Sequence, residues 1–381
     1  MEGVLFAAPF DLHKLELTGG PIGVVPDVMQ AAYFRGQNAD TGAAQFTIST
    51  TGTLVYLPGG IFRPAERSVV WVDRTGRSEP LPIAPRAFVT LRLSPDGQQI
   101  ALSTFGRERD IWVYAPQRGT LSKLAAPGRN GVPIWTRNGE RITYAAGTSG
   151  PDKLQWVRAD SGGSSELLIH SEFNLVPGTW TPDGRQLLYY RETAGPTTNR
   201  PSTSVSSAPW IWVQDAAMKK PPTPIEGPMA NAGGAELSSD GRWLAYHSTE
   251  SGQLQVYVQA YPGPGRRYQV SADGGISPIW RADGRELFYV QPNVQTPPLG
   301  PIEARMMAVP VATQSAFTFG VPKELFAGRY EMNSPARAYD ATADGQRFLL
   351  IQARERPPEL ITQMTVVQNW FEELKRLVPG N

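Results

Sequence analysis

The stretch Leu93-Ser94-Pro95-Asp96-Gly97-Gln98-Gln99-Ile100-Ala101-Leu102 decides the fold, because it recurs along the chain in altered form. Copies occupy 135–144 (Trp-Thr-Arg-Asn-Gly-Glu-Arg-Ile-Thr-Tyr), 180–189, 237–246, 280–289 and 341–350, and a weaker one, 48–56, surrounds Gly52. The turn glycines Gly52, Gly97, Gly139, Gly184, Gly241, Gly284 and Gly345 are spaced by 45, 42, 45, 57, 43 and 61 residues. Asp-Gly or Asn-Gly tolerates the positive φ that a tight reversal requires. Asp96, Asn138, Asp183, Asp240, Asp283 and Asp344 precede those glycines and are read as stabilising their own turns. The Ile, Leu, Tyr and Phe that follow are strand formers in nearly unbroken apolar runs, as in strands buried on both faces.

A second hairpin follows most copies. Its first strand carries Trp71-Val72, Trp112-Val113, Trp156-Val157 or Trp212-Val213, with Val256-Tyr257-Val258 and Met307-Ala308-Val309 as equivalents. Closing strands such as 121–124 and 267–270 come next. Four strands per unit of about 40–45 residues is the period of a propeller blade. Residues 4–10 and 22–25 read as an outer hairpin without an inner one, and 338–351 as an inner hairpin near the C-terminus. Pairing them predicts an all-β, seven-bladed β-propeller of four-stranded antiparallel blades, closed by its N- and C-terminal strands. On this reading 1–360 is one domain. Residues 361–381 add a strand over 361–368 and a short C-terminal helix docked on the body. Asn369 is its expected cap with Glu372 as capping-box partner, and Trp370, Phe371, Leu374, Leu377 and Val378 form its apolar face.

Composition agrees with many short strands: 38 Gly and 35 Pro among 381 residues disfavour long helices. Lys+Arg 36 against Asp+Glu 35 leaves a formal charge of +1, which gives no footprint for nucleic acid. The absence of Cys excludes disulfides and thiolate chemistry. No apolar run reaches the length of roughly 18 residues that spans a bilayer, and the N-terminus lacks the pattern of a signal peptide. Read as complete, the chain is expected to be cytoplasmic; read as a fragment of a membrane kinase, it is expected to be periplasmic or otherwise extracytoplasmic.

No Gly-rich phosphate loop with a strand Lys, His-Arg-Asp or Asp-Phe-Gly is present, and no Gly-x-Ser-x-Gly elbow. His13, His170 and His247 fall in different predicted blades, so they do not supply a metal centre. Single turn acids in separate blades do not assemble the six to eight oxygens of a calcium site. No catalytic residue, metal or cofactor is therefore assigned. Binding on a propeller is expected where loops converge at the channel mouth. The face bearing the loops between second and third strands, and between blades, also takes two insertions, about 191–209 and 291–305. Arg86, Arg129, Asn130, Glu172, Asn174, Arg191, Asn231 and Arg337 surround that mouth and are the candidate ligand contacts. The expected partner is a protein or peptide, or else a small ligand, with the protein itself a monomer. The alternative is a metal-dependent lyase or hydrolase with its site in the channel.

The Ser-Pro-Asp-Gly hairpins, with Trp before and Leu-Ala-Tyr or Ile-Ala-Leu after, resemble the WD-repeat-like propeller repeats of the TolB family. Longer stretches at 5–12, 70–76, 256–265 and 369–376 resemble a narrower group, the propeller domains attached to bacterial serine/threonine protein kinases. That resemblance implies a sensor domain lying beyond a membrane helix, outside the cytoplasm. The chain departs from the group in containing neither a kinase domain nor a membrane helix.

Overall fold

Six of the hairpin turns hold their glycine at a φ between +64° and +71°, where a side chain would be strained. The preceding residue clamps the reversal. Asp183 Oδ1 accepts from the Thr181 hydroxyl at 2.6 Å and the Arg185 amide at 3.0 Å, and Asp240, Asp344 and Asn138 repeat the pattern. In this computed structural model, residues 3–30, 44–60, 66–105, 109–124, 128–147, 152–160, 163–192, 211–217, 219–227, 232–263, 265–293, 299–314, 316–333, 336–353 and 362–378 are described. The chain divides into two compact units, Ala65–Arg354 and Met1–Pro64 with Glu355–Asn381.

Among its described residues the larger unit is made of four four-stranded antiparallel sheets and one nine-stranded sheet, which divides into two further blades joined where Tyr330 pairs with Gln352. The first blade comprises Phe88–Leu93, Ile100–Thr104, Ile111–Ala115 and Thr120–Lys123; the second, Gly131–Trp135, Arg141–Ala146, Lys153–Arg158 and Glu166–His170. The third comprises Asn174–Trp180, Gln186–Glu192, Ile211–Asp215 and Thr223–Pro224; the fourth, Gly233–Leu237, Trp243–Ser248, Gln255–Ala260 and Arg267–Gln269. The fifth comprises Ile276–Trp280, Glu286–Pro292, Leu299–Ala312 and Lys323–Asn333. The stretch 291–305 expected to be an insertion is therefore largely an extension of that blade's strands, with 294–298 outside the described residues.

The sixth blade corrects the expected closure. Its inner strands Tyr339–Ala341 and Arg347–Ala353 pair with Arg67–Asp73, which pairs in turn with Ser78–Pro80. Residues 4–10 and 22–25 take no part. An apolar core lies between each pair of successive blades, and the sixth packs against the first through Val69, Leu349 and Ile351 on one side and Phe88, Leu91 and Leu102 on the other. Among the described residues of this unit six blades thus follow one another, and the expected count of seven is not confirmed. Arg67–Asp73 and 4–25 are both outer-strand segments by pattern, and backbone pairing has no sequence code of its own. The long apolar match of Val69, Val70 and Val72 to Phe348, Leu350 and Ile351 selects the former. Blades are also stapled by indoles: Trp135 and Trp280 donate to the carbonyls of Arg92 and Glu236 in the preceding blade, and Trp180 to the Thr143 hydroxyl.

In the smaller unit the Gly52 turn joins Phe46–Ile48 to Leu54–Tyr56, and Thr365–Val367 adds a third strand. Leu5–Ala7 pairs with Ile22–Val25. The helix Trp370–Leu377 packs within this unit, its Trp370 buried with Val25, Val28 and Leu54. Asn369 adopts a left-handed φ of 56° and makes no side-chain cap bond, so the expected capping box does not form.

Candidate functional site

The inner strands bring charge into the channel. Arg92 of the first blade, Glu236 of the fourth and Asp340 of the sixth occupy equivalent positions, next to last in their strands, where the second and fifth blades carry Ile134 and Ile279. Arg337 enters from the lead-in to the sixth blade. Its guanidinium donates to Glu236 Oε2 at 2.8 Å and lies 3.5 Å from Asp340 Oδ1. Arg92 donates to the Arg337 carbonyl at 2.5 Å and to the Leu91 carbonyl at 2.7 Å. Asp340 accepts from the Leu93 amide at 3.0 Å. Two cations and two anions are balanced within one buried cluster, the arrangement that makes buried charge tolerable.

Burial, and then the neighbouring Arg337, lowers the Arg92 guanidinium to about 9. For Arg337 burial acts the same way, but Glu236 and Asp340 outweigh it and hold it firmly charged. Burial pushes the phenols of Tyr190 and Tyr339 upward; they serve as donors or acceptors, Tyr339 giving its hydroxyl to the Ser277 carbonyl at 2.6 Å. His247 is buried and lowered to about 3, its Nδ1 accepting from the Ser277 amide at 3.1 Å. A neutral histidine in that role is structural. Among the described residues no group of three or more His, Asp or Glu could hold a metal ion. One donor in the cluster stays unspent: Arg337 Nε is buried and has no hydrogen-bond partner among the described residues.

The inner strands begin at the end opposite the Asp-Gly turns, and there they bulge. Val132, Gly234 and Ser277 stand at the second position of the second, fourth and fifth inner strands with φ of 52°, 60° and 53°. Such bulges re-aim side chains and concentrate beside functional sites. Of the expected contacts among the described residues, Arg337 alone joins the channel cluster. Arg86 stacks over Trp112 at 4.5 Å, and Arg191 over Phe173 at 3.9 Å and Trp212 at 5.0 Å. Arg129 bridges to Arg109 through the backbone, Asn130 is buried, Glu172 is exposed, and Asn174 pairs with Glu192 in the third blade. Asn231 and most of 191–209 lie outside the described residues. Arg92, Glu236 and Asp340 were missed because they sit inside apolar strands. A charge at a position that other copies fill with isoleucine was the available signal.

Two cavities lie on the opposite, turn-bearing face, of about 420 Å³ between the first and second blades and about 560 Å³ between the second and third.

No protein-family model and no curated protein matches the chain. Solved structures do. A TolB-type protein from Agrobacterium tumefaciens is 17% identical, aligned over 77% of this chain and 99% of its own, with a TM-score of 0.60. TolB from Acinetobacter baumannii is 14% identical over 78% of this chain and 66% of its own (TM-score 0.48). An oligogalacturonate lyase from Vibrio parahaemolyticus is 12% identical over 79% and 75% (TM-score 0.42). The first of these likenesses shows that the chain has a TolB-like β-propeller fold.

Proposed function

We propose that this protein is a non-catalytic recognition module that binds a protein or peptide segment at the loop-bearing end of its channel. The observation that carries the reading is the set of backbone bulges at Val132, Gly234 and Ser277, which stand at the loop-bearing start of the inner strands, while the acids and bases of the channel cluster neutralise one another. General acid–base chemistry would need a carboxyl, imidazole or phenol poised near neutrality and within reach of substrate. Here the imidazole and the phenols are shifted away from neutrality by burial, and the Glu331 carboxyl, raised to about 7, is buried and paired with Arg67. The stretches resembling kinase-attached propellers extend the reading to an extracytoplasmic sensor. No helix among the described residues is long and apolar enough to cross a membrane.

The test is to pan a phage-displayed library of linear heptapeptides on the full chain, then titrate the enriched peptides by fluorescence polarisation. The reading requires a peptide family whose binding survives EDTA and falls about tenfold or more in Arg129→Ala/Glu172→Ala, the loss of hydrogen bonds to charged groups. If no enriched peptide responds to that variant, the loop-end reading fails. Stoichiometric divalent metal in the purified protein, with a thermal shift on adding it, would favour a metal-dependent lyase or hydrolase instead.

A further inference from the structure

The turn-bearing face holds a second feature of a different kind. The hairpin turns ring the channel there, and several gaps between them are filled from within. Pro182 of the third turn packs under Gly241 of the fourth. Between the fourth and fifth blades Arg242 donates to the Thr313 and Gln314 carbonyls. Between the fifth and sixth, Arg74 makes a two-pronged contact with Glu286 at 2.9 and 3.0 Å, and Arg281 joins them. Beside the second turn lie the 420 and 560 Å³ cavities, the smaller next to the contact of Pro95 with Gly139, and they adjoin: both are lined by Arg137 and Asn138.

Arg137 is the decisive residue. It occupies the turn position held by Pro95 in the first blade and Pro182 in the third. It is exposed and, unlike Arg74, Arg242 and Arg281, makes no ion pair or side-chain hydrogen bond among the described residues. The walls on either side are aromatic. Trp135 borders the smaller cavity; Trp156 and Trp180, stacked at 6.1 Å, border the larger. Arg141 does not compete for a ligand, being stacked on Trp156 at 4.3 Å and paired with Glu166 at 2.9 Å.

We infer that these joined cavities bind an extended peptide through one carboxylate held by Arg137, with the flanking side chains seated in the two cavities. An unpaired guanidinium between two aromatic-walled hollows matches a carboxylate in forked geometry. In an extended segment, side chains on one face recur about every 6.6 Å, which lets one acidic residue sit on the arginine while its neighbours enter the hollows. The rim also carries Asp96, Glu140 and Asp183. These repel a run of negative charge, so the match is to a single acidic residue between apolar or basic ones, not to a polyanion. The inference rests on the recognition-module reading but places a second site on the other end of the channel.

The library selection described above tests it with different variants. A family of peptides with one central Asp or Glu should enrich, and its binding should fall about tenfold or more in Arg137→Ala and further in Arg137→Glu. The same family should be indifferent to Arg129→Ala/Glu172→Ala, and replacing its acid with the amide should abolish the sensitivity to Arg137→Ala. Arg137 is exposed, so these variants leave the fold intact, which circular dichroism verifies. The inference is overturned if no acidic family enriches, or if the selected peptides bind Arg137→Ala within about twofold of the parent. Peptides sensitive only to Arg129→Ala/Glu172→Ala would remove the turn-face site and leave the loop-end reading standing; an absence of any enriched peptide removes both.

Discussion

Arg337→Leu should destabilise the protein far more than the loss of one surface charge, and Glu236→Leu in the same chain should recover part of that loss. The Arg337 side chain is 7% exposed and the Glu236 carboxylate 20%. With Arg337 gone, Arg92 faces both Glu236 and Asp340, so the cluster carries an uncompensated negative charge. Removing one partner of a buried ion pair costs about 3–5 kcal/mol. The partial exposure of Glu236, and the two backbone amides that Asp340 retains from Leu93 and Ala341, place this case near the lower figure, about 3 kcal/mol. Replacing the pair by apolar groups removes the stranded charge, so Arg337→Leu/Glu236→Leu should cost less than the two single changes together, by about 1–3 kcal/mol. Urea unfolding at pH 7, followed by tryptophan fluorescence, measures all four corners of the cycle. Additivity of the single changes to within about 0.5 kcal/mol would show that Arg337 and Glu236 are not coupled, and would refute the account of the channel as a self-neutralised cluster.

A second expectation concerns pH. Glu331 of the fifth blade faces Arg67 of the sixth at 2.8 Å, and burial, only partly offset by Arg67, raises its carboxyl from 4.5 to about 7. The folded state therefore holds a proton that the unfolded state releases. Stability from this group is fully present below about pH 4.5 and is lost as pH rises to about 7, by about 3 kcal/mol. Urea titrations from pH 4.5 to 8 should show that slope in the parent and its removal in Glu331→Gln; parallel profiles would refute it. Third, residues 65–354 expressed alone should fold with a far-ultraviolet spectrum of β type and melt in one transition, because both outer strands of the sixth blade lie within that span. An unfolded fragment would show that the ring depends on residues outside it.

Much of this fold was legible because its signals are local. A glycine at positive φ, an acid bonded to its own turn and an apolar strand on each side need no distant partner, so the inner hairpins could be read in the order in which they occur. The turn around Gly52 was equally legible as a hairpin, yet its third strand is Thr365–Val367, some three hundred residues away in sequence. The strand carrying Trp71, assigned by sequence order to the Gly52 hairpin, belongs to the sixth blade instead. The candidate site divides in the same way. Arg337 could be picked out as a charged residue at a blade entry. Its partners could not, because Arg92, Glu236 and Asp340 come together only when three blades converge on one axis. Nor does the sequence distinguish the free Arg137 from the occupied Arg242, since both stand beside an Asn-Gly or Asp-Gly turn.

The sequence by itself determined the blade unit and the TolB-like propeller class, through turn chemistry and strand periodicity that act over a few residues. Only the tertiary structure decided which strands pair in the last blade and which charges are spent on one another. Strand pairing is made by backbone groups that every residue carries, so the choice among equivalent edges falls to side-chain packing between segments far apart in the chain.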